Sequence, residues 1–475
     1  MQKGFYITTT LPYVNADPHL GHALEFVQTD VIARYKGLTG YEVFFNTGTD
    51  EHGLKILRKA EHEGIPTEEY VNRYALRFKN LLASLNIKYD SFLRTTDQNH
   101  IRAAQEFWKR CARAGDIYPD IQEIKYCVGC ELEKTESELA NGLCPLHPTL
   151  AIEIRKEKNY FFRFSKYQGP LLDLYEKSPN FVVPQIRLNE VRAFVERGLR
   201  DFSISRLAAK MPWGVPVPGD TEHVMYVWFD ALVSYLSAIR WPEDRYAKWW
   251  PVTQFAGKDN LRQQAAMWQA MLLSAGLEPS EKIVIHGFVT SGGQKMSKTV
   301  GNVIDPFYVI KKYGADALRY YLLREVSTFE DGDFTEEHFI ETYNANLANG
   351  LGNVVSRVMK MATTYGVELS DTEKRMTYYE SGQAHEALDT FNLQREMDDI
   401  WSAIKSLDED IQRSEPFKKI KRDPDEAKKD VHTMLCHLLG VALRLEPCMP
   451  DTSKEIQRLI QENKMPAEPL FKRIK

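Results

Sequence analysis

Phe5-Tyr6-Ile7-Thr8-Thr9, then Thr10-Leu11-Pro12-Tyr13-Val14-Asn15-Ala16-Asp17-Pro18, then His19-Leu20-Gly21-His22-Ala23-Leu24-Glu25-Phe26-Val27: this opening stretch decides the architecture. Its first segment is apolar and β-branched, which is a strand signal. The second is a loop punctuated by two prolines. The third has helical spacing. The first unit is therefore strand, loop, helix, with His19 and His22 in the helix's first turns. Residues three apart share a helix face, so both imidazoles can point the same way. The unpaired amides and the positive dipole end of such a helix favour an anion, and Gly21 lets a flat ring or a phosphate approach the backbone. Read alone, the stretch is equally a buried strand followed by a helix whose histidines are incidental.

The pattern of alternating strands and helices continues to about residue 113. Tyr41-Glu42-Val43-Phe44-Phe45 reads as a second strand that runs into Asn46-Thr47-Gly48-Thr49-Asp50-Glu51-His52-Gly53. Polar residues just beyond a strand's end mark where ligands sit in open parallel sheets. Helices are expected over 66–85 and 97–113. The sheet pattern resumes with a strand over 223–229, helix 230–239, strand 254–256, helix 259–275 and a last strand over 282–288. Ser291-Gly292-Gly293-Gln294 then leads into Lys295-Met296-Ser297-Lys298-Thr299. By itself that is a solvated turn, but two lysines on a Gly/Ser hinge can also close over a triphosphate.

Between the two halves the texture changes. Cys127-Val128-Gly129-Cys130 is followed by Cys144-Pro145-Leu146-His147. CxxC then CxxH, across a short interval, is a zinc-ligand pattern. Three thiolates and one imidazole make a closed tetrahedral set with no open position, which points to a structural Zn2+. A disulfide is the alternative, and a reducing compartment disfavours it. The chain has six cysteines, and Cys111, Cys436 and Cys448 stand singly in partly apolar helical surroundings, as inert thiols do. Beyond the lysine loop, Asp305-Pro306 is a helix start in the favoured order. From about Thr335 no strand signal remains. Leu347, Leu351, Val354, Val355 and Val358 repeat at helical spacing, as do segments around Ile400 and Leu439, so an all-α bundle closes the chain.

Bulk properties bound the rest. A length of 475 residues suggests two to four domains. Hydrophobic residues at 43% and charged residues at 27% are those of an ordinary globular protein. No apolar run approaches the roughly 18 residues of a membrane span. The first strand begins almost at once, with no signal peptide, and a cytoplasmic location is expected. The net charge of −5 does not advertise a nucleic-acid binder, yet RNA contact needs only a local basic surface. Lys418, Lys419, Lys421 and Arg422 form one such stretch, which reads equally as a solvated helix face.

His19-Leu20-Gly21-His22 and Lys295-Met296-Ser297-Lys298-Thr299, in this order, resemble the HIGH and KMSKS signatures of class I aminoacyl-tRNA synthetases. Leu11-Pro12-Tyr13-Val14-Asn15, Tyr226-Val227-Trp228-Phe229-Asp230-Ala231 and the zinc-type cluster resemble the bacterial methionyl-tRNA synthetase family with a single zinc knuckle, over nearly the whole chain. The resemblance implies a Rossmann-type parallel sheet split by a zinc-containing connective insertion and followed by an all-α helical bundle. On this view residues 1–114 and 223–290 are the two halves of the catalytic domain and 115–222 the insertion. Residues 291–345 hold the KMSKS loop and a stem-contact region, and 346–475 form the anticodon-binding domain. An insertion of about a hundred residues has the size of one small domain, too small for the large editing domains of the leucine, isoleucine and valine enzymes. The chain ends soon after the bundle, without the C-terminal dimerisation domain of some relatives, so a monomer is expected.

The implied reaction joins methionine to its tRNA through methionyl-adenylate, at the expense of ATP with its Mg2+. The resemblance puts His19, His22, Lys295 and Lys298 on the phosphates, with Gly21, Gly257 and Asp259 at the nucleotide. It surrounds the thioether with Leu11, Tyr13, Trp228, Ala231, Leu232 and Tyr235, and gives the ammonium group to Asp50. Gly257-Lys258-Asp259 opens a family pattern that normally carries a histidine five residues after the aspartate. Here that position is Gln264, and Asn260 replaces an aliphatic residue; both border the amino-acid pocket in the family. Asn353 and Arg357 match anticodon-reading residues, and Phe417 stands where the family has a stacking tryptophan. Other readings are a synthetase for cysteine or leucine, and a non-ligating relative that only binds RNA or a nucleotide. Intact His19, His22, Lys295 and Lys298 argue against the second.

Overall fold

The structure is a computed structural model that describes residues 4–127, 132–134, 139–145, 149–296, 302–375 and 386–474. Cys130, His147, Ser297, Lys298 and Thr299 lie outside the described residues, and Lys295 is described by its backbone alone.

Six parallel strands form the central sheet in the spatial order Ser91–Arg94, Glu42–Thr49, Gly4–Thr8, Thr253–Gly257, Lys282–His286 and Val182–Val183. Successive side chains alternate between the two faces. Thus Phe255 and Val284 join one core with the helices Leu20–Leu38 and Thr67–Ser84. Ala256, Ile283 and Ile285 join another with Gln98–Arg113 and Trp268–Ser274. The strand order runs outward in one direction from Gly4–Thr8 and in the other from Thr253–Gly257. That reversal leaves a crevice at the strands' carboxyl ends, where ligands of doubly wound sheets bind.

The helices after residue 306 share the first of these cores, from Val309 and Leu318 to Leu459. Leu347, Leu351, Val354, Val355 and Val358 are all buried, as their spacing predicts. One buried ionic cluster ties this region to the sheet. Arg319, fully buried, pairs with Asp30 of the Leu20–Leu38 helix at 2.8 Å. Its guanidinium also donates to the carbonyls of Leu85, Pro447 and Cys448 at 3.1, 2.9 and 2.7 Å. A buried charge is tolerable only when paired and hydrogen-bonded in this way. Among the described residues no helix is long and apolar enough to cross a membrane.

The segment between the sheet's halves holds a four-stranded antiparallel sheet, Leu132–Lys134, Ile117–Cys127, Glu153–Phe162 and Phe202–Ser203. Four features differ from expectation. Residues 115–222 are not all outside the main sheet, because Val182–Val183 supplies its sixth strand; two residues are too few to show an alternation. The strand expected over 223–229 stops at Met225 and pairs instead with Ser205–Leu207, while Trp228 lies in a new helix, Val227–Leu232. The helix expected over 259–275 is a 3₁₀ turn, Lys258–Asn260, then a π turn, Gln263–Met267, before regular helix. Finally, Val289–Ser291 and Gln294–Lys295 form a hairpin beside Gly332–Asp333, a small sheet whose strands are again too short to show a period.

Candidate active site

At the reversal point lies a cavity of about 980 Å³. Its lining unites Leu11, Tyr13, His19, Gly21, His22, Asp50, Trp228, Ala231, Leu232, Tyr235, Gly257, Asp259, Asn260 and Gln264, residues spread from position 11 to position 264 of the chain. Asn353, Arg357 and Phe417 are elsewhere, in the helical region, and Cys127 and Cys144 are in the insertion; none of them lines it.

The histidines are more than helix-face residues. His19 is the N-cap of Leu20–Leu38, and His22 completes a capping box. The Gly21 amide donates to His19 Nδ1 at 3.1 Å, and the His19 amide donates to His22 Nδ1 at 3.2 Å. An imidazole that accepts at Nδ1 carries its proton on Nε2 when neutral. The rings stack with centroids 3.9 Å apart. Burial, and then the neighbouring His19, hold the His22 pKa well below its ordinary value, so His22 is the neutral tautomer with an Nε2–H donor. A Cβ at position 21 would sit 2.9 Å from the His19 ring, which explains the glycine between them.

The loop 10–18 is pinned to the end of the second strand: the Asp50 amide donates to Pro12 O at 2.9 Å and the Val14 amide to Asp50 O at 3.1 Å. This sets Tyr13 and Asp50 side by side. Asp50 is buried and its Oδ1 has no hydrogen-bond partner among the described residues. Burial, and then the charge of Asp230, push its pKa well above the carboxylate range. Asp230 is itself bonded to His52 Nδ1 at 2.8 Å. An acceptor so placed and so poorly solvated suits a cationic ligand, since an incoming positive charge restores the ionised form.

On the opposite wall Gln264, in the π turn, donates to the Tyr235 hydroxyl at 2.8 Å and accepts from Gln254 Nε2 at 2.9 Å. Ser280 Oγ donates to Gln254 Oε1 at 2.6 Å, and Gln269 bonds both Ser280 and the Gln264 carbonyl. The Gln264 amide is therefore bonded through both its nitrogen and its oxygen in a buried network, behind the aromatic wall of Trp228 and Tyr235. Gln264→Leu should remove two hydrogen bonds from this buried network, at about 1–3 kcal/mol for a buried group left unsatisfied. A lower chemical-denaturation midpoint is the expected result; an unchanged midpoint would show that the network is dispensable.

Two functional groups were not read from the sequence. Glu25 Oε1 accepts from the amide and the hydroxyl of Thr10, both at 2.6 Å, and its Oε2 lies 2.9 Å from His286 Nε2. His286 Nδ1 faces the Gly287 carbonyl at 2.7 Å. Burial opposes the charged ring, but Glu25 outweighs it and the His286 pKa is raised; with an acceptor at each nitrogen, both nitrogens donate. The pair fastens the loop's start to the end of the last strand. Its signals were present: Glu25 lies on the His22 face, three residues on, and His286 closes a strand.

The lysine hairpin rises from the same edge. Gly292 and Gly293 turn it with φ of +62° and +73°. Met296 lines the cavity, which brings the chain to the site two residues before Lys298. In the insertion, Cys127 and Cys144 are fully buried yet belong to none of the described hydrophobic cores. Thiols buried without an apolar core around them fit a metal-ligand role. In the helical region Asn353 is exposed and Arg357, four residues on, is ion-paired with Asp408. Phe417 is 44% exposed.

The fold and cavity can be set beside known proteins. The family model described as tRNA synthetases class I (M) matches residues 5–151 and 133–359. The chain is 40% identical to the Methionine--tRNA ligase of Thermotoga maritima over 98% of its own length and 76% of that protein's. It is 49% identical to that of Thermosynechococcus vestitus over 77% and 70%. Mycobacterium tuberculosis methionyl-tRNA synthetase in complex with methionyl-adenylate superposes with a TM-score of 0.85 at 36% identity, covering 96% of this chain and 94% of that one. With the family model spanning both halves of the sheet, the insertion between them and the lysine hairpin, this chain belongs to the class I (M) tRNA synthetases.

Proposed function

We propose that the cavity activates L-methionine with ATP and passes the aminoacyl group to the terminal ribose hydroxyl of a methionine tRNA, initiator or elongator. The meeting of His19, His22, Asp50, Trp228 and Tyr235 in one cavity at the strand-order reversal carries this reading. In the first step the methionine carboxylate oxygen attacks the α-phosphorus, and the bond to the bridging oxygen breaks to release pyrophosphate. In the second, the ribose hydroxyl displaces AMP from the carbonyl carbon. The nucleophile belongs to the substrate each time, so the protein's work is to position reactants and to stabilise charge on the phosphates.

Asp50 takes the ammonium group. Leu11, Tyr13, Trp228, Ala231, Leu232 and Tyr235 surround the thioether, a polarizable group favoured by aromatic walls; Asn260 and Gln264 complete that pocket. His19 and His22 aim Nε2–H donors at the phosphates, and Gly21, Gly257 and Asp259 border the nucleotide. Lys295 and Lys298 close over the triphosphate from the hairpin. Mg2+ would arrive with ATP, the phosphates and water supplying most of its ligands. Cys127, Cys130, Cys144 and His147 would hold one Zn2+, whose contribution is to fold the insertion.

ATP–pyrophosphate exchange across methionine, leucine, isoleucine, valine, cysteine and homocysteine tests the assignment. Methionine should support exchange with the highest kcat/KM. A rival that does better would overturn the substrate while leaving the ligase chemistry in place, because apolar contacts discriminate by only about 1–3 kcal/mol per methylene.

For the RNA, Asn353, Arg357 and Phe417 present two hydrogen-bonding side chains and an exposed ring to unpaired anticodon bases, the usual way in which single-stranded RNA is read. Arg357→Ala should cripple tRNA charging and spare exchange measured without tRNA. Equal losses in both assays would make its pairing with Asp408 a structural matter only.

A further inference from the structure

The helical region carries a side-chain cluster for which the ligase chemistry has no use. Glu373, His432 and Cys436 bring a carboxylate oxygen, an imidazole nitrogen and a thiol sulfur within 4.8 Å of one another. His432 and Cys436 lie four residues apart on the helix Pro424–Leu445, hence on one face. Glu373 comes from the short turn Asp371–Lys374. None of the three lines the cavity, and all three are only partly buried.

Glu373 is held in place by a capping box. Its Oε2 accepts from the Ser370 amide at 2.7 Å and from the Ser370 hydroxyl at 2.6 Å. That engages one carboxylate oxygen and turns Oε1 toward the helix, 3.3 Å from His432 Nε2 and 3.8 Å from Cys436 Sγ. Zinc bonds of about 2.0–2.1 Å to nitrogen or oxygen and about 2.3 Å to sulfur, at the tetrahedral angle, separate nitrogen from oxygen by about 3.4 Å and sulfur from oxygen by about 3.6 Å. The two spacings to Glu373 Oε1 are therefore close to the edges of a zinc tetrahedron; the sulfur faces His432 Nδ1 at 3.9 Å, and the three ligand atoms stay within 4.8 Å of one another. The Ser370 donors play the part of the outer hydrogen bonds that orient ligating carboxylates. A thiolate, an imidazole and a single carboxylate together select a borderline-soft ion over Mg2+ or Ca2+. With the thiol deprotonated, the two negative ligands would balance the ion's charge.

We propose that Glu373, His432 and Cys436 form a second zinc site, with water as fourth ligand, which clips the Asp371–Lys374 turn to the Pro424–Leu445 helix. It is separate from the insertion's Cys/His set and independent of the methionine assignment.

Equilibrium dialysis of the reduced full-length chain against Zn2+ tests it, comparing the unaltered protein with His432→Ala, Cys436→Ser and Cys144→Ser. The unaltered chain should bind one more zinc than either His432→Ala or Cys436→Ser, or hold that ion at least about 10-fold more tightly, the scale on which a metal site weakens when its shell is damaged. Cys144→Ser should retain this second ion. Zn2+ should also raise the thermal-unfolding midpoint of Cys144→Ser and leave that of a Cys144→Ser/Cys436→Ser double variant unmoved. Glu373→Gln, which preserves the size of the side chain, guards against a folding artefact and should weaken the same ion. Zinc content and affinity equal in the unaltered chain, His432→Ala and Cys436→Ser would overturn the site and leave a hydrogen-bonded capping turn in its place.

Discussion

Asp50→Asn should raise the KM for methionine by on the order of 10²-fold or more and at the same time make the protein harder to unfold. Both effects come from one observation: a buried carboxylate that lines the cavity, its Oδ1 without a partner among the described residues, beside a second acid. Removing one partner of a buried, hydrogen-bonded charge pair costs about 2–5 kcal/mol, and each 1.4 kcal/mol is a factor of ten in affinity. The stability effect has the opposite sign. Burial first, and then Asp230, raise the Asp50 pKa above that of the unfolded chain. Between the ordinary carboxylate value, about 3.9, and the raised one, the folded state holds the extra proton. Stability therefore falls as pH rises through that window and stays reduced above it. Asparagine removes this loss, so the gain in midpoint should be largest near neutrality and vanish in acid. Methionine affinity of the unaltered protein should fall as pH drops below the raised value, because the ammonium group needs the ionised acid. Asp50→Asn should show no such dependence. Exchange kinetics and thermal unfolding across pH check both halves, and an unchanged KM would remove Asp50 from the substrate.

Much of this was legible in the chain because the relevant signals are local. The strand-loop-helix unit of residues 5–27, the capping of the helix by Asp305 and Pro306, and the helical repeat Leu347 to Val358 each depend on neighbours within a few residues. What escaped depends on contacts between distant segments. His286 meets Glu25 across 261 residues, and Arg319 meets Asp30 across a similar span. No periodicity encodes such a pair; only the folded sheet creates it. Short strands are unreadable for another reason. Val182–Val183 and Gly332–Asp333 take their pairing from a neighbouring strand, and two residues cannot display an alternation. The histidines show the finer limit. Their spacing announced a shared face, but the cap geometry that assigns each Nδ1 to a backbone amide depends on the extended φ of −137° at His19.

Gln264 illustrates how an unfamiliar residue is absorbed. Seen in the sequence, an amide at a pocket wall looks like a polar intrusion. In the fold it is one link in a chain from Tyr235 through Gln254 to Ser280, each member bonded to the next. Satisfied buried networks of this kind fix side-chain orientation and so preserve the shape of an apolar wall. The wall of Trp228 and Tyr235 thus keeps its aromatic character with an amide behind it.

Lys298→Ala should slow adenylate formation by on the order of 10²–10³-fold, the usual cost of one preorganised donor that meets charge in the transition state. The chain's geometry makes the role specific. The hairpin Val289–Ser291/Gln294–Lys295 continues from the strand that ends in His286, and its glycine turn allows it to bend over the crevice. Met296 contributes to the cavity lining and Lys298 follows two residues later in the sequence; on the proposed reading it engages the triphosphate at the helix cap of His19 and His22. On the proposed reading methionine lies between Asp50 and the Trp228–Tyr235 wall, so its KM should change little. The loss should therefore fall on kcat and on the KM for ATP. Lys298→Arg should recover only part of it, since a planar guanidinium spreads its charge over a fork where the ammonium is a compact point. Single-turnover formation of adenylate, measured apart from transfer to tRNA, isolates the step. An unchanged rate in Lys298→Ala would show that the helix cap alone carries the phosphates and that the hairpin serves only to exclude water.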